Sequence, residues 1–312
     1  MKLAAFGLAV AATIGGGALI GAAVGPDEVG DESVRHGEHA SATTEVTATP
    51  PAGVDQPLPA GLSMSREGYT LELEAAELPA DTERELEFVI NGPDGQPVTE
   101  FEVAHEKELH LVIVNRDLVG YAHIHPTRDD GGTWRVDLPP LATGSYRVFA
   151  DFVPTGADGV VLGADLAVPG ELEAANVPAA SNTATVDQYT VTFDGSLVAG
   201  TESELTLTVE ADGEPVTDLD PYLGALGHLV AIRGGDMAYL HVHPIDELAG
   251  SSGPDVQFGV DVPTAGTYRL FFDFSHGGEV RTAAVTVIVQ ADGQAIAGDV
   301  PETTDGGGHD GH

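Results

Sequence analysis

The chain is predicted to be all-β, two tandem immunoglobulin-like or cupredoxin-like β-sandwiches, and three observations predict it. Laid on itself at an offset of 118, the sequence matches GQPVT at 95–99 with GEPVT at 213–217, then His110 with His228, His123 with His241 and His125 with His243. Segments such as TLELEA, LEFVI, LHLVIV, YRVFADF, LTLTVEA and YRLFFDF are short and rich in β-branched and aromatic residues, as strands are. Between them stand GPDGQP, DDGGT, ADGEP and HGG, which are turn chemistry, and no helical period is present.

Taken in order, residues 1–24 are one Lys followed by an unbroken apolar and glycine-rich run. That pattern reads as an export signal peptide, or as an N-terminal membrane anchor, since about 20 apolar residues suffice to span a bilayer. Residues 25–61 are an acidic linker rich in Pro, Ala and Thr. Residues 62–170 form the first sandwich repeat, 171–181 a second linker, and 182–290 the second repeat. Residues 291–312, rich in Gly, His and Asp, form a tail predicted to lack order.

Composition excludes several classes of function. The formal charge of -38, with lysine only at Lys2 and Lys107, repels phosphate backbones, so nucleic acid is not expected as a partner. The chain has no cysteine, which removes disulfides, thiolate metal sites and blue-copper centres. No nucleophile elbow, phosphate loop or HExxH motif occurs, so an enzyme is not expected.

What remains is histidine. His110, His123 and His125 fall within eighteen residues that read as two strands around a turn, and His228, His241 and His243 repeat them. In the second copy Gly234 and Gly235 suit a two-residue hairpin turn, which would pair Arg233 with Asp236 and His228 with His241, leaving His243 as the diagonal neighbour. The same spacing in the first copy would place His110 opposite His123, with His125 beside it. Imidazoles so placed, ~5–7 Å apart at Cβ, can reach one ion.

His105 would join them only through a bulge or loop, and Leu223 holds its position in the second copy. His276, in the turn DFSHGG, could supply a further ligand from another strand. Asp151 and Asp273 interrupt apolar strands; alternation turns them to a wet face, with hydrogen bonding to a ligand histidine as the alternative. His36, His39, His309 and His312 lie in the ends and could hold metal loosely.

The stretches HEKELHLVIVNRDLVGYAHIHP, YRVFADF and YLGALGHLVAIRGGDMAYLHVHP resemble exported actinobacterial tandem β-sandwich proteins with HxHP motifs, often labelled heavy-metal-binding or uncharacterised. A looser similarity is to YtkA-like and CopC-like periplasmic copper proteins, although Met-rich segments are not evident here. The resemblance implies an extracytoplasmic sandwich that handles copper through the six matched histidines. The expected function is therefore extracytoplasmic binding of a divalent transition metal, copper before zinc, for homeostasis or delivery. The expected protein partner is an envelope metal-transport protein, and membrane contact runs only through the N-terminal segment. The rival expectation is a non-enzymatic structural or adhesive module of the cell envelope whose histidines are structural.

Overall fold

The computed structural model describes residues 59–172, 175–240, 242–245 and 252–290. Repeat 1 contains β1 (Ser65–Arg66), β2 (Tyr69–Leu73), β3 (Arg84–Asn91), β4 (Phe101–Glu102), β5 (Leu109–Asn115), β6 (Tyr121–Ile124), β7 (Thr127–Arg128), β8 (Thr133–Leu138), β9 (Gly144–Pro154) and β10 (Val160–Val168). Repeat 2 contains β11 (Thr183–Val186), β12 (Tyr189–Gly195), β13 (Thr201–Ala211), β14 (Glu214–Pro215), β15 (His228–Arg233), β16 (Tyr239–Leu240), β17 (Val242–Pro244), β18 (Asp255–Val262), β19 (Gly266–His276) and β20 (Glu279–Val289). The class is all-β with two tandem immunoglobulin-like sandwiches. In repeat 1 a sheet β1-β2-β3-β8-β7 faces a sheet β10-β9-β5-β6; in repeat 2 a sheet β11-β12-β13-β18-β17 faces β16-β15-β19-β20. Among the described residues, no helix is long and apolar enough to cross a membrane.

Alternation with period 2 fills each sandwich. Leu111, Ile113 and Val148 point into the core of repeat 1 with Phe88 and Trp134, and Leu229, Ala231 and Leu270 into that of repeat 2 with Phe193 and Phe258. The opposite faces of β5 and β15 are not wet. Val112, Val114, Leu118 and Phe149 of repeat 1 meet Val230, Ile232, Met237, Tyr239 and Phe271 of repeat 2 in a third apolar core. The repeats therefore dock sheet against sheet. Burial on both faces is why β5 reads LHLVIV, a continuous apolar run rather than an alternating one.

Two expectations are corrected by this arrangement. Asp273, expected on a wet face with hydrogen bonding to a histidine as the alternative, is only 2% exposed because the first repeat's sheet covers it, and it takes the alternative by bonding His123. The hairpin turns also differ from the two-residue form. Arg233 N donates to Ala238 O and Asn115 N to Gly120 O, so each loop holds four residues, 234–237 and 116–119. Met237 and Leu118 adopt left-handed backbone at φ 62° and 56° to close them. The resulting pairs are Val112↔His123 and Ile232↔Tyr239, two residues away from the expected register. A shift of two preserves parity, so His110, Val112 and His123 still share a face.

Candidate metal centre

His110 is placed by β5, whose alternation sends it to the docking face together with Val112 and Val114. Across the ladder, β6 carries His123 opposite Val112, and His125 follows one residue past the strand on the same face. The three rings converge: His110 Nδ1 is 3.1 Å from His123 Nε2 and 3.3 Å from His125 Nε2. One nitrogen from each lies within 4.8 Å of the other two.

The outer nitrogens fix what the inner ones can do. His110 Nε2 lies 3.1 Å from the carbonyl oxygen of Ala104, which can only accept, so the hydrogen sits on Nε2 and Nδ1 is bare in the neutral ring. His123 Nδ1 lies 2.9 Å from a carboxylate oxygen of Asp273, so Nδ1–H donates and, in the neutral ring, Nε2 is bare. Two lone pairs thus face each other at 3.1 Å. Nitrogens bound tetrahedrally to one ion at ~2.0 Å lie ~3.3 Å apart, and this spacing matches that geometry.

Repeat 2 supplies the surroundings. Asp273 on β19 accepts from His123 and from the hydroxyl of Tyr121 on one oxygen, and from the hydroxyl of Thr282 on the other. His228 on β15, opposite Asp273 in the ladder, lays its ring parallel to His110 with centroids 5.2 Å apart, and stands 5.1 Å from the ring of His123. Its Nδ1 is buried and has no hydrogen-bond partner. His105 approaches through a tight turn closed by paired hydrogen bonds between Ala104 and Lys107, with φ of 47° at His105 and 65° at Glu106. Its ring reaches within 5.2 Å of His228 and 6.1 Å of His110. Leu223 and Gly224 form the same turn in repeat 2 between Tyr222 and Ala225.

Burial tunes these rings towards the neutral, ligating form. It pushes His110 down to about 4 and His125 down to about 3, with the neighbouring His123 adding to both. Burial and the same neighbours hold His228 well below the ordinary histidine range. Burial lifts the Tyr121 hydroxyl well above its usual value, which keeps it a neutral donor to Asp273.

The remaining predicted positions go elsewhere. His243 lies on β17, opposite Gly259 of β18 in the other sheet, with Nε2 3.1 Å from Glu202. It is not beside His228, as the two-residue turn would have had it. His276 is held by the hydroxyl of Tyr189 at 2.7 Å and by Asp218 at 3.2 Å, not by the histidine group. His241 lies outside the described residues, as do His36, His39, His309 and His312. Tyr121 and Tyr239 were missed by sequence reasoning. The signal existed: both copies read YxHxHP, and each tyrosine hydrogen-bonds the other repeat's aspartate, Tyr121 to Asp273 and Tyr239 to Asp151.

A family model described as a domain of unknown function, DUF8832, matches residues 64–168 and 184–291. No curated protein matches the chain significantly. Among solved structures, it is similar to FdeC, an Escherichia coli adhesin, at 14% identity over 73% of this chain and 66% of that one, with a TM-score of 0.24. Invasin, a bacterial integrin-binding protein, is 15% identical over 72% of this chain and 39% of its own, with a TM-score of 0.23. A two-domain fibronectin type III segment of chicken tenascin is 12% identical over 70% of this chain and 97% of its own, with a TM-score of 0.21.

Proposed function

We propose, for a chain that belongs to the DUF8832 family of unknown function and takes no activity from it, that His110, His123 and His125 bind one divalent transition metal outside the cytoplasm. The observation that carries this is the pair of imidazole nitrogens facing each other at 3.1 Å, each left bare in the neutral ring by the partner on its far side. Facing lone pairs repel unless a proton or a metal ion stands between them, and a hydrogen on His125 Nε2, 3.3 Å from His110 Nδ1, relieves only the His110 side. A proton shared by the two rings would serve at low pH; a metal ion serves at neutral pH, where His110, at about 4, is uncharged. All-imidazole ligation suits copper and zinc, with Cu(II) ahead on intrinsic affinity. The negative charge of the chain raises the local concentration of cations around it.

The role is metal handling in the cell envelope, with an envelope metal-transport protein as the protein partner. Residues 1–24 would direct or anchor the chain there. A second reading rests on the apolar docking core: the tandem is a structural or adhesive module, and the histidines are hydrogen-bonded fillers of its junction.

The two readings part in one titration. The full-length protein and its His123→Ala/His125→Ala variant are titrated with Cu(II), Zn(II) and Ni(II) against a competing chelator. Metal handling predicts one tight equivalent in the parent, weakened in the variant by more than the roughly 10–100-fold that loss of an outer hydrogen-bond partner costs. Equal uptake by both proteins, with only stability lower in the variant, would overturn it in favour of the structural module.

A further inference from the structure

We infer that the metal is a clasp between the repeats: occupation of the repeat 1 histidines and docking of repeat 2 form one coupled equilibrium, in which Asp273 and His228 are repeat 2's contribution. This rests on the metal-binding reading and says what the bound metal does.

Three independent features of the junction point the same way. The first is where the orienting carboxylate comes from. A ligand histidine is commonly held by a carboxylate on its other nitrogen, which fixes the tautomer and strengthens the ring as a donor. Here His123 belongs to β6 of repeat 1, and the carboxylate belongs to β19 of repeat 2, 150 positions further along the chain. Within repeat 1, the far nitrogen of His110 is held by the Ala104 carbonyl. Separating the repeats would leave His123 free to rotate and to change tautomer.

The second feature is His228. A buried ring nitrogen without a partner is destabilising, and this one lies against two of the three converging rings. Its nitrogens do not belong to the close group formed by His110, His123 and His125. It is therefore assigned to the face of the metal that repeat 2 closes, where a modest ring movement brings it in as a fourth donor.

The third feature is charge. Asp273 is a carboxylate only 2% exposed, two residues along β19 from Phe271 of the docking core, and its hydrogen-bond partners Tyr121, His123 and Thr282 are all uncharged donors when His123 is neutral. A buried carboxylate is costly unless compensated. A dication on the far side of His123 supplies the compensating charge through a polarised imidazole, so metal and docked carboxylate stabilise each other. Such coupling is reciprocal: whatever factor docking adds to metal affinity, the metal adds to docking.

The test uses the full chain in three forms: parent, Asp273→Asn and His228→Gln. Zn(II) and Cu(II) affinities are measured against a competing chelator, and amide hydrogen exchange of β5, β15 and β19 is followed with and without metal. The clasp predicts an affinity lower by roughly 10–100-fold in Asp273→Asn and also lower in His228→Gln. It predicts that metal slows exchange in β15 and β19 of repeat 2 as well as in β5, and that this protection of repeat 2 shrinks in both variants. Val230→Asp, which puts a charge into the dry interface and leaves every histidine in the sequence, is a third arm: provided repeat 1 retains its native exchange pattern, its metal affinity should fall as in Asp273→Asn. Tight binding by the parent that is unchanged in Asp273→Asn and His228→Gln, with protection confined to repeat 1, would overturn the clasp and leave metal binding standing. Absence of tight binding by the parent would overturn both.

Discussion

The same motif, YAHIHP at 121–126 and YLHVHP at 239–244, ends in two different places in the two repeats. Both tyrosines reach across the junction to the other repeat's aspartate. Beyond them the paths diverge. In repeat 1 the chain stays on the edge of β5 through Ile124 and joins the opposite sheet only at Thr127, where it pairs with β8. In repeat 2 it leaves β15 after Leu240 and is already paired with β18 at Val242. His125 is thus kept in the junction, whereas His243 is carried away from it.

The difference is explained by what the motif meets on the other sheet. Gly259 faces His243, and a Cβ there would stand 2.7 Å from His243 Nε2 and 2.8 Å from Glu202 Oε1. The structurally equivalent residue in repeat 1 is Asp137, paired across the ladder with Glu85 as Gly259 is with Glu204. Asp137 carries a side chain where Gly259 has none, and Arg135 beside it faces Thr127 and is held by ion pairs to Glu87 and Asp129. A ligand motif therefore does not define its ligand set; the strand it is allowed to pair with does.

The largest expected effect probes the shared junction. Phe271 stacks on Tyr121 with centroids 4.1 Å apart and planes 6° apart, while its counterpart Phe149 meets Tyr239 at 5.4 Å and 49°. Phe271→Ala should cost about 3–5 kcal/mol in urea unfolding. Phe149→Ala should cost about 1 kcal/mol less, the difference being the better-formed aromatic pair. Equal losses would mean that the two halves of the junction are energetically symmetric despite their geometry.

Acid comes next, and His110 of repeat 1 shows how it acts. The folded pKa of His110 lies at about 4, below the ordinary 6.5, so between these values the unfolded chain binds more protons than the folded one. Stability is complete above 6.5 and declines as pH falls towards 4, by up to about 3 kcal/mol from this buried ring. Metal-free parent and His110→Gln should therefore unfold with free energies that converge as pH drops from 7.5 to 4.5. Parallel curves would show that His110 is not forced neutral by the fold.

Gly259→Arg tests the cause assigned to the divergence. The new side chain should displace His243 and Glu202 from their seat, and pairing with Glu204 should offset part of the cost, leaving a loss of about 1–2 kcal/mol. Amide exchange at Val242 and His243 should accelerate. Unchanged exchange there would mean that something other than the opposing residue selects the path.

The fold was legible because alternation, turn residues and the internal repeat all agree, and each is a local property of the chain. The register was legible only to parity. Gly234-Gly235 advertises a two-residue turn, but Leu118 and Met237, which are not residues that signal left-handed backbone, close four-residue loops instead. Because both loop lengths are even, the histidines kept their common face, and three of the predicted positions still converge. The junction was less legible, although LHLVIV carried the sign of a strand buried on both sides. Asp273 could not be assigned to His123 by spacing, since the contact spans the two repeats. His228 shared its motif with the others, yet its place over His110 follows from docking alone.

The smallest predicted effect is the sharpest test of that comparison. His243 is 45% exposed and pairs with Glu202, itself 63% exposed, so the contact is a solvated surface ion pair worth at most about 1 kcal/mol. His243→Ala should leave both stability and tight metal binding nearly unchanged, whereas His125→Ala, at the matching position of repeat 1, should weaken the metal by more than ~10–100-fold. The two substitutions are identical in chemistry and in position within the motif, and differ only in which sheet the strand has joined. A loss of metal in His243→Ala comparable to that in His125→Ala would mean that β17 returns to β15 when metal binds, and the divergence between the repeats would then belong to the metal-free protein alone.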